Sequence, residues 1–176
     1  GVLVVGFHVP SWAASLAAGL GVIVFIEQRS APVEVQGYVY GAWTAASRLY
    51  LKKSFSETDP ARKRQLKATS EAYAEKAGAL KRRFNAKFWV PEKNFVAMAL
   101  QKDGSPLKSV TTNGAQAMLA GLVDPAHAQA MSRTLLDKPM SSGWGLRTLA
   151  SDEPAYNPAS YHNGSVWPHD NSLIVM

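Results

Sequence analysis

From Val33 onward apolar residues return at steps of three and four. Val35, Tyr38, Val39, Ala42, Ala46, Leu49 and Tyr50 share one face of a 3.6-residue period. The spacing predicts a helix over 33–55. Ser56-Glu57-Thr58-Asp59-Pro60 then supplies a turn, a capping side chain and a proline suited to a first helical turn, which opens a second helix to about residue 86. Its apolar stripe is Leu66, Tyr73, Ala77, Leu80 and Phe84, and much of the remaining surface is Lys and Arg.

Past residue 87 the period breaks. Phe88-Trp89-Val90 and the apolar run from Phe95 to Leu100 flank Pro91-Glu92-Lys93-Asn94, and Asp103-Gly104-Ser105-Pro106 follows, which predicts a small β-hairpin. Thr111-Thr112-Asn113-Gly114 precedes a short helix over 115–122, and Asp124-Pro125 opens another through Leu136, each with an Ala-rich face suited to close packing. A long irregular stretch over 141–165 leads to Val166-Trp167-Pro168 and a last helix. Loops of that length inside a folded domain are usually functional.

The composition is that of a globular domain: 176 residues, 47% hydrophobic, 18% charged. The net charge of +6 is concentrated in one place. Residues 51–87 hold eleven basic side chains against four acidic ones, a local surplus larger than that of the whole chain. This reads as the solvated face of an outer helix. The aromatics of the second helix, Tyr73 and Phe84, belong to its apolar stripe rather than to the charged face, so no nucleic-acid partner is expected. Absence of cysteine excludes disulfides, thiolate nucleophiles and Cys-based zinc sites, fits a reducing compartment, and sets cytoplasmic as the expected location. Residues 9–26 are apolar apart from Ser11 and Ser15 and reach the lower limit for a membrane span. Pro10, Gly19, Gly21 and the lack of a basic flank argue against one.

Chemistry concentrates in two segments, Ser142-Gly143-Trp144-Gly145-Leu146-Arg147-Thr148-Leu149 and the run from Tyr156 to Asn171. They put indoles, phenols, imidazoles, a guanidinium and several amides into one loop system. That mixture suits a sugar, whose flat apolar face stacks on Trp while its hydroxyls meet fixed donors and acceptors. It equally suits a loop whose aromatics pack it onto helices, and composition leaves both readings open. His162, His169 and Asp170 match no usual helix-borne metal motif, so neither a metal site nor any other cofactor is expected. Asn163-Gly164-Ser165 is formally a glycosylation sequon and reads as structural.

These segments, together with Val33-Glu34-Val35-Gln36-Gly37-Tyr38, carry a resemblance. From about residue 32 to the end the chain resembles the C-terminal catalytic domain of bacterial amylo-α-1,6-glucosidase, or glycogen debranching enzyme-like, proteins of the six-hairpin glycosidase superfamily. The resemblance implies an all-α fold: part of an (α/α)6 toroid of helical hairpins with a small β-hairpin insertion and long cleft-lining loops. It implies inverting hydrolysis of an α-glucosidic bond, with one carboxylic acid protonating the leaving oxygen and a carboxylate activating water. The implied partner is an oligosaccharide or α-glucan.

By resemblance and chemistry Tyr161, His162, Asn163, Trp167 and His169 surround the sugar, and Trp144 and Arg147 shape the same cleft. Asp170 is the best carboxylate in these motifs, although a residue so near a helix start has a ready structural role. Glu34, near the start of an inner-type helix, faces the cleft, solvent or a backbone partner. The family carries its acid on a Trp-x-Asp-type motif before the first helix and its base on a later loop; this chain has no Asp before Asp59. Residues 1–32 therefore read as a segment outside the family pattern, through a shifted frame or false start, and 33–176 as a catalytic domain truncated at its C-terminus. Such a fragment is expected to be inactive alone and to self-associate through uncovered apolar helix faces. The alternative is a noncatalytic carbohydrate-binding helical protein.

Overall fold

The first helix, α1 (Val33–Ser56), begins where a strand ends. In the computed structural model, which describes residues 30–174, β1 (Ala31–Pro32) runs straight into it, and the Val33 N–H, an orphan of the first turn, donates to Met98 O at 3.0 Å. The apolar segment over 9–26 lies outside the described residues. Among the described residues no helix is long and apolar enough to cross a membrane.

The turn out of α1 is built from side chains. Glu57 accepts from the N–H groups of Thr58 and Asp59 and pairs with Arg62 at 3.3 Å, and Asp59 caps the next helix by accepting from Ala61 N at 3.0 Å. That helix, α2 (Pro60–Phe88), buries Leu66, Ser70, Ala77, Leu80, Phe84 and Phe88, so the predicted stripe is the one that packs. Its Lys and Arg residues lie mostly on the exposed side. Helices α1 and α2 form an antiparallel hairpin that closes on small residues. Ser70 Oγ donates to Ser47 O at 2.8 Å, and the Tyr50 and Tyr73 rings stack with centroids 5.8 Å apart.

The apolar face read for α1 needs correction. Only Val33, Gly37 and Ser54 are buried along it, and Tyr38, Leu49 and Tyr50 are exposed. The large apolar groups of α1 that pack on the core are Val39, Tyr40 and Trp43, only the first of which the predicted face held, and the closest helix approach is made at a small residue. Gly37 shows this: a Cβ there would lie 2.9 Å from the Ala117 Cα of α3 (Thr112–Leu119).

The predicted hairpin is two small pairings. β2 (Trp89–Val90) and β3 (Phe95–Val96) pair antiparallel around a 3-10 turn, Pro91–Lys93, whose end places Asn94 in the left-handed region. β4 (Ala99–Leu100) pairs on one side with β1 and on the other with β5 (Pro106–Leu107). Strands of two residues are too short to show an alternating pattern.

Helix α3 starts at Thr112, three residues before the expected position, and ends at Leu119. The turn from α3 into α4 (Pro125–Leu136) is held by Asn85 of α2. Its amide donates to Leu122 O and its carbonyl accepts from Asp124 N, each at 2.9 Å. The core collects Val33, Leu80, Phe84, Phe88, Val90, Phe95, Val96, Leu122, Met131, Leu135 and Met140 from both hairpins and the strands. The chain is thus predominantly helical, two helical hairpins joined by a small β insertion, followed by a long loop and a last helix, α5 (Pro168–Ile174).

Candidate functional site

The irregular stretch is a pair of loops zipped to each other. Arg147 bridges to Val166, Thr148 N donates to Ser165 O at 2.9 Å, and Gly164 N donates to Thr148 Oγ1 at 2.9 Å. The first loop is also stapled to α5. Asn171 donates to Leu146 O at 3.1 Å and to Trp167 O at 2.9 Å, and accepts from Leu146 N at 2.7 Å. A Cβ at Gly145 would lie 2.8 Å from the Asn171 carbonyl oxygen, so the staple requires glycine there. A Cβ at Gly164 would likewise run into the Tyr156 ring. The two motifs therefore meet in one loop system, as the sequence led us to expect.

On that surface Tyr161, His162 and Trp167 form an aromatic cluster. Tyr161 meets the edge of His162 at 4.8 Å between centroids and tilts on Trp167 at 4.7 Å; His162 and Trp167 are 5.3 Å apart. The Trp167 indole N–H donates to Tyr161 O at 2.8 Å, which fixes the ring while Tyr161 and His162 stay exposed. Asn163 is exposed and its backbone carbonyl accepts from Asn157 N at 2.7 Å. Trp144 projects at the tip of the first loop, 97% exposed, above a tight turn in which Ser142 Oγ donates to Gly145 O at 2.7 Å. The Arg147 guanidinium is turned toward the loop's own backbone, donating to Lys138 O at 3.0 Å and Pro139 O at 3.4 Å. It braces the loop that carries Trp144.

Asp170 is buried. Its Oδ2 accepts from Thr112 Oγ1 at 2.6 Å, and its Oδ1 faces Gln116 Nε2 at 3.5 Å and His169 Nδ1 at 3.3 Å. His169 itself is largely exposed. Across from α5, the α1 residues Glu34 and Tyr38 join the same polar cluster. Burial pushes the Glu34 carboxyl up from its ordinary value and the Asp170 charge adds to this, against hydrogen bonds from its own backbone and from Asn113. Tyr38 is also pushed up, by burial first and then by the charges of Glu34 and Asp170, and its hydroxyl donates to Gln116 Oε1. Glu34 therefore lies half-buried beside Asp170, with hydrogen bonds to backbone and to Asn113, rather than in solvent.

Glu153, in the same loop system, is structural: it pairs with Lys93 at 3.0 Å and accepts from Val110 N at 3.1 Å. Sequence reasoning gave no roles to Thr112, Gln116 or Asn171. Asn171 stands inside the motif, and its spacing from Leu146 gave no sign of the contact. Among the described residues no three His, Cys, Asp or Glu side chains are grouped to hold a metal ion. An open groove lined by Leu49, Lys52, Lys53, Phe55 and Ser56 lies at the other end of α1 and shares no residue with this surface.

With this geometry established, comparison with known proteins gives a family. The family model of the mannosylglycerate hydrolase MGH1-like glycoside hydrolase domain matches residues 58–176. No curated protein matches the chain. Among solved structures, a sialidase aligns with a TM-score of 0.71 and 18% identity, over 84% of this chain and 13% of its own. The GH63 mannosylglycerate hydrolase from Thermus thermophilus, solved in complex with Tris, aligns at 0.47 and 19%, over 79% of this chain and 31% of its own. The first alignment shows a shared fold. The chain spans only a minor part of either structure it resembles.

Proposed function

The chain belongs to the family of mannosylglycerate hydrolase MGH1-like glycoside hydrolase domains, and from that premise we propose that it forms the sugar-binding wall of a glycosidase cleft for an α-linked glucoside. The observation that supports this most is the cluster of Tyr161, His162 and Trp167, in which the Trp167 ring is held by the backbone and half-buried while Tyr161 and His162 are open to solvent. A packing role would have covered them. Exposed aromatic faces beside His169 and the amide of Asn163 offer a pyranose both a stacking surface and hydrogen-bond partners.

The reaction this reading assigns to the parent site is inverting hydrolysis, which needs an acid and a base on opposite faces of the sugar. The carboxylate that shares their motif, Asp170, is buried and engaged by Thr112, Gln116 and His169. That favours binding without turnover by this chain alone. The α-glucoside assignment rests on the resemblance to amylo-α-1,6-glucosidase; the matched family's own name favours mannosylglycerate as a second substrate.

Calorimetric titration of the chain with maltotriose, isomaltose and mannosylglycerate tests this, with reducing-sugar release measured in parallel. The expected result is binding of one of the glucosides, weakened by Trp167→Ala, without release. Tightest binding of mannosylglycerate would transfer the assignment to the second reading, and binding of none would remove the sugar site.

A further inference from the structure

Tyr38 was grouped by periodicity with the buried face of α1, yet half of it is exposed and its hydroxyl is anchored in the polar cluster around Asp170. The direction of every donor in that cluster follows from the carboxylate. An ionised Asp170 accepts only, so the group Gln116 turns toward Oδ1 must be its amide Nε2, and the amide oxygen is left to accept from the Tyr38 O–H. The phenol hydrogen is thereby committed. Its oxygen keeps lone pairs free for an incoming donor, and the ring keeps an open face. His169 Nδ1 lies 3.3 Å from the same Asp170 Oδ1 on a largely exposed ring, so the carboxylate also orients an imidazole at the surface. One buried carboxylate thus orients two exposed side chains, on α1 and α5, and the Tyr38 oxygen is left to accept. A ligand that supplies several hydroxyl donors fits that surface.

We propose that Tyr38 is a sugar-contacting residue of this cleft and that Gln116 is its positioning residue, holding the phenol between α1 and the Asp170 carboxylate. The inference rests on the sugar-binding reading above and extends the binding surface to α1, where the sequence offered only Glu34. Burial and the neighbouring charges of Glu34 and Asp170 both keep the phenol protonated, so it remains a donor to Gln116 across the neutral range.

The test titrates the full chain with maltotriose and compares the parent with Tyr38→Phe, Gln116→Met, the double variant and Trp167→Ala, with the melting temperature of each recorded. Tyrosinate absorbance followed through alkaline pH supplies a readout that does not depend on binding. The expected result is that Tyr38→Phe and Gln116→Met each weaken binding about tenfold, the loss of one hydrogen bond, and that the double variant is no weaker than either single one. Gln116→Met should also move the titration of one tyrosine, the one that Tyr38→Phe removes. Parental affinity in Tyr38→Phe, with Trp167→Ala still weakened, would overturn the inference and leave the sugar site standing. Multiplied losses in the double variant, or an unmoved tyrosine, would overturn the positioning role of Gln116. Failure of the parent to bind would overturn both the site and this extension of it.

Discussion

Thr112 Oγ1 donates to Asp170 Oδ2 at 2.6 Å, a hydrogen bond between two buried side chains 58 residues apart that ties α5 to the first turn of α3. With the carboxylate removed, the Thr112 hydroxyl and the Gln116 amide would be left without their acceptor. Unpaired buried polar groups cost about 1–3 kcal/mol each. Asp170→Ala should therefore destabilise the chain by about that amount, and Asp170→Asn, which retains an acceptor oxygen, by less. Denaturant unfolding of both variants checks this. An alanine variant as stable as the parent would mean that the α3–α5 junction is held by other contacts.

Two glycines in the first half of α1 make opposite predictions. At Gly37 an added Cβ would meet the Ala117 backbone at 2.9 Å, whereas at Gly41 it would meet nothing within 4 Å. Gly37→Ala must push α1 off α3, an overpacking penalty of about 1–3 kcal/mol. Gly41→Ala gains helix propensity at no steric cost and should stabilise by about 0.4–1 kcal/mol. Thermal melts of the pair decide the matter. Equal shifts in the same direction would show that the α1–α3 approach is not tight.

Glu34 makes stability depend on pH with a defined sign. Its folded-state pKa is raised, chiefly by burial and then by Asp170, so the folded chain holds this proton more tightly than the unfolded chain does. The stability it contributes is complete below the ordinary glutamate value. It is lost as pH rises from there through the raised folded value. Glu34→Gln abolishes this slope, and its melting temperature should fall less than the parent's between about pH 4 and pH 8. Parallel curves for parent and variant would show that the carboxyl is not held in the protonated form.

Much of this architecture was legible because it depends on neighbours in sequence. The α2 stripe of Leu66, Ala77, Leu80 and Phe84 and the cap at Asp59 depend on local period and local chemistry, and both are observed. The aromatic and histidine motif was legible as composition. Its wiring was not, because Asn171 meets Leu146 across 25 residues and Tyr38 meets Gln116 across 78. The misread face of α1 has a different cause. The period placed Tyr38, Leu49 and Tyr50 on the packed face, whereas α1 meets the core through Val39, Tyr40 and Trp43 and comes closest to its neighbours at Gly37 and Ser47.

The far end of α1 sets two forces against each other. Leu49, Leu51 and Phe55 are 67%, 41% and 69% exposed, and burying them against another surface would yield about 25 cal/mol per Å² of apolar area. Lys52 and Lys53 lie among them, and Arg64 stands exposed at the start of the adjoining helix, so two copies meeting here would bring like charges together. Repulsion between exposed charges reaches about 30 Å at 0.01 M salt and about 3 Å at 1 M, whereas apolar burial is not screened. Self-association through this end should therefore be suppressed in dilute buffer and grow with ionic strength. Sedimentation velocity at both salt levels checks this: the parent is expected to form larger species only at high salt, and the Leu49→Gln, Phe55→Gln double variant to remain monomeric throughout. Oligomers that dissolve as salt is added would instead identify ion pairing, and a surface other than this one, as what holds the copies together.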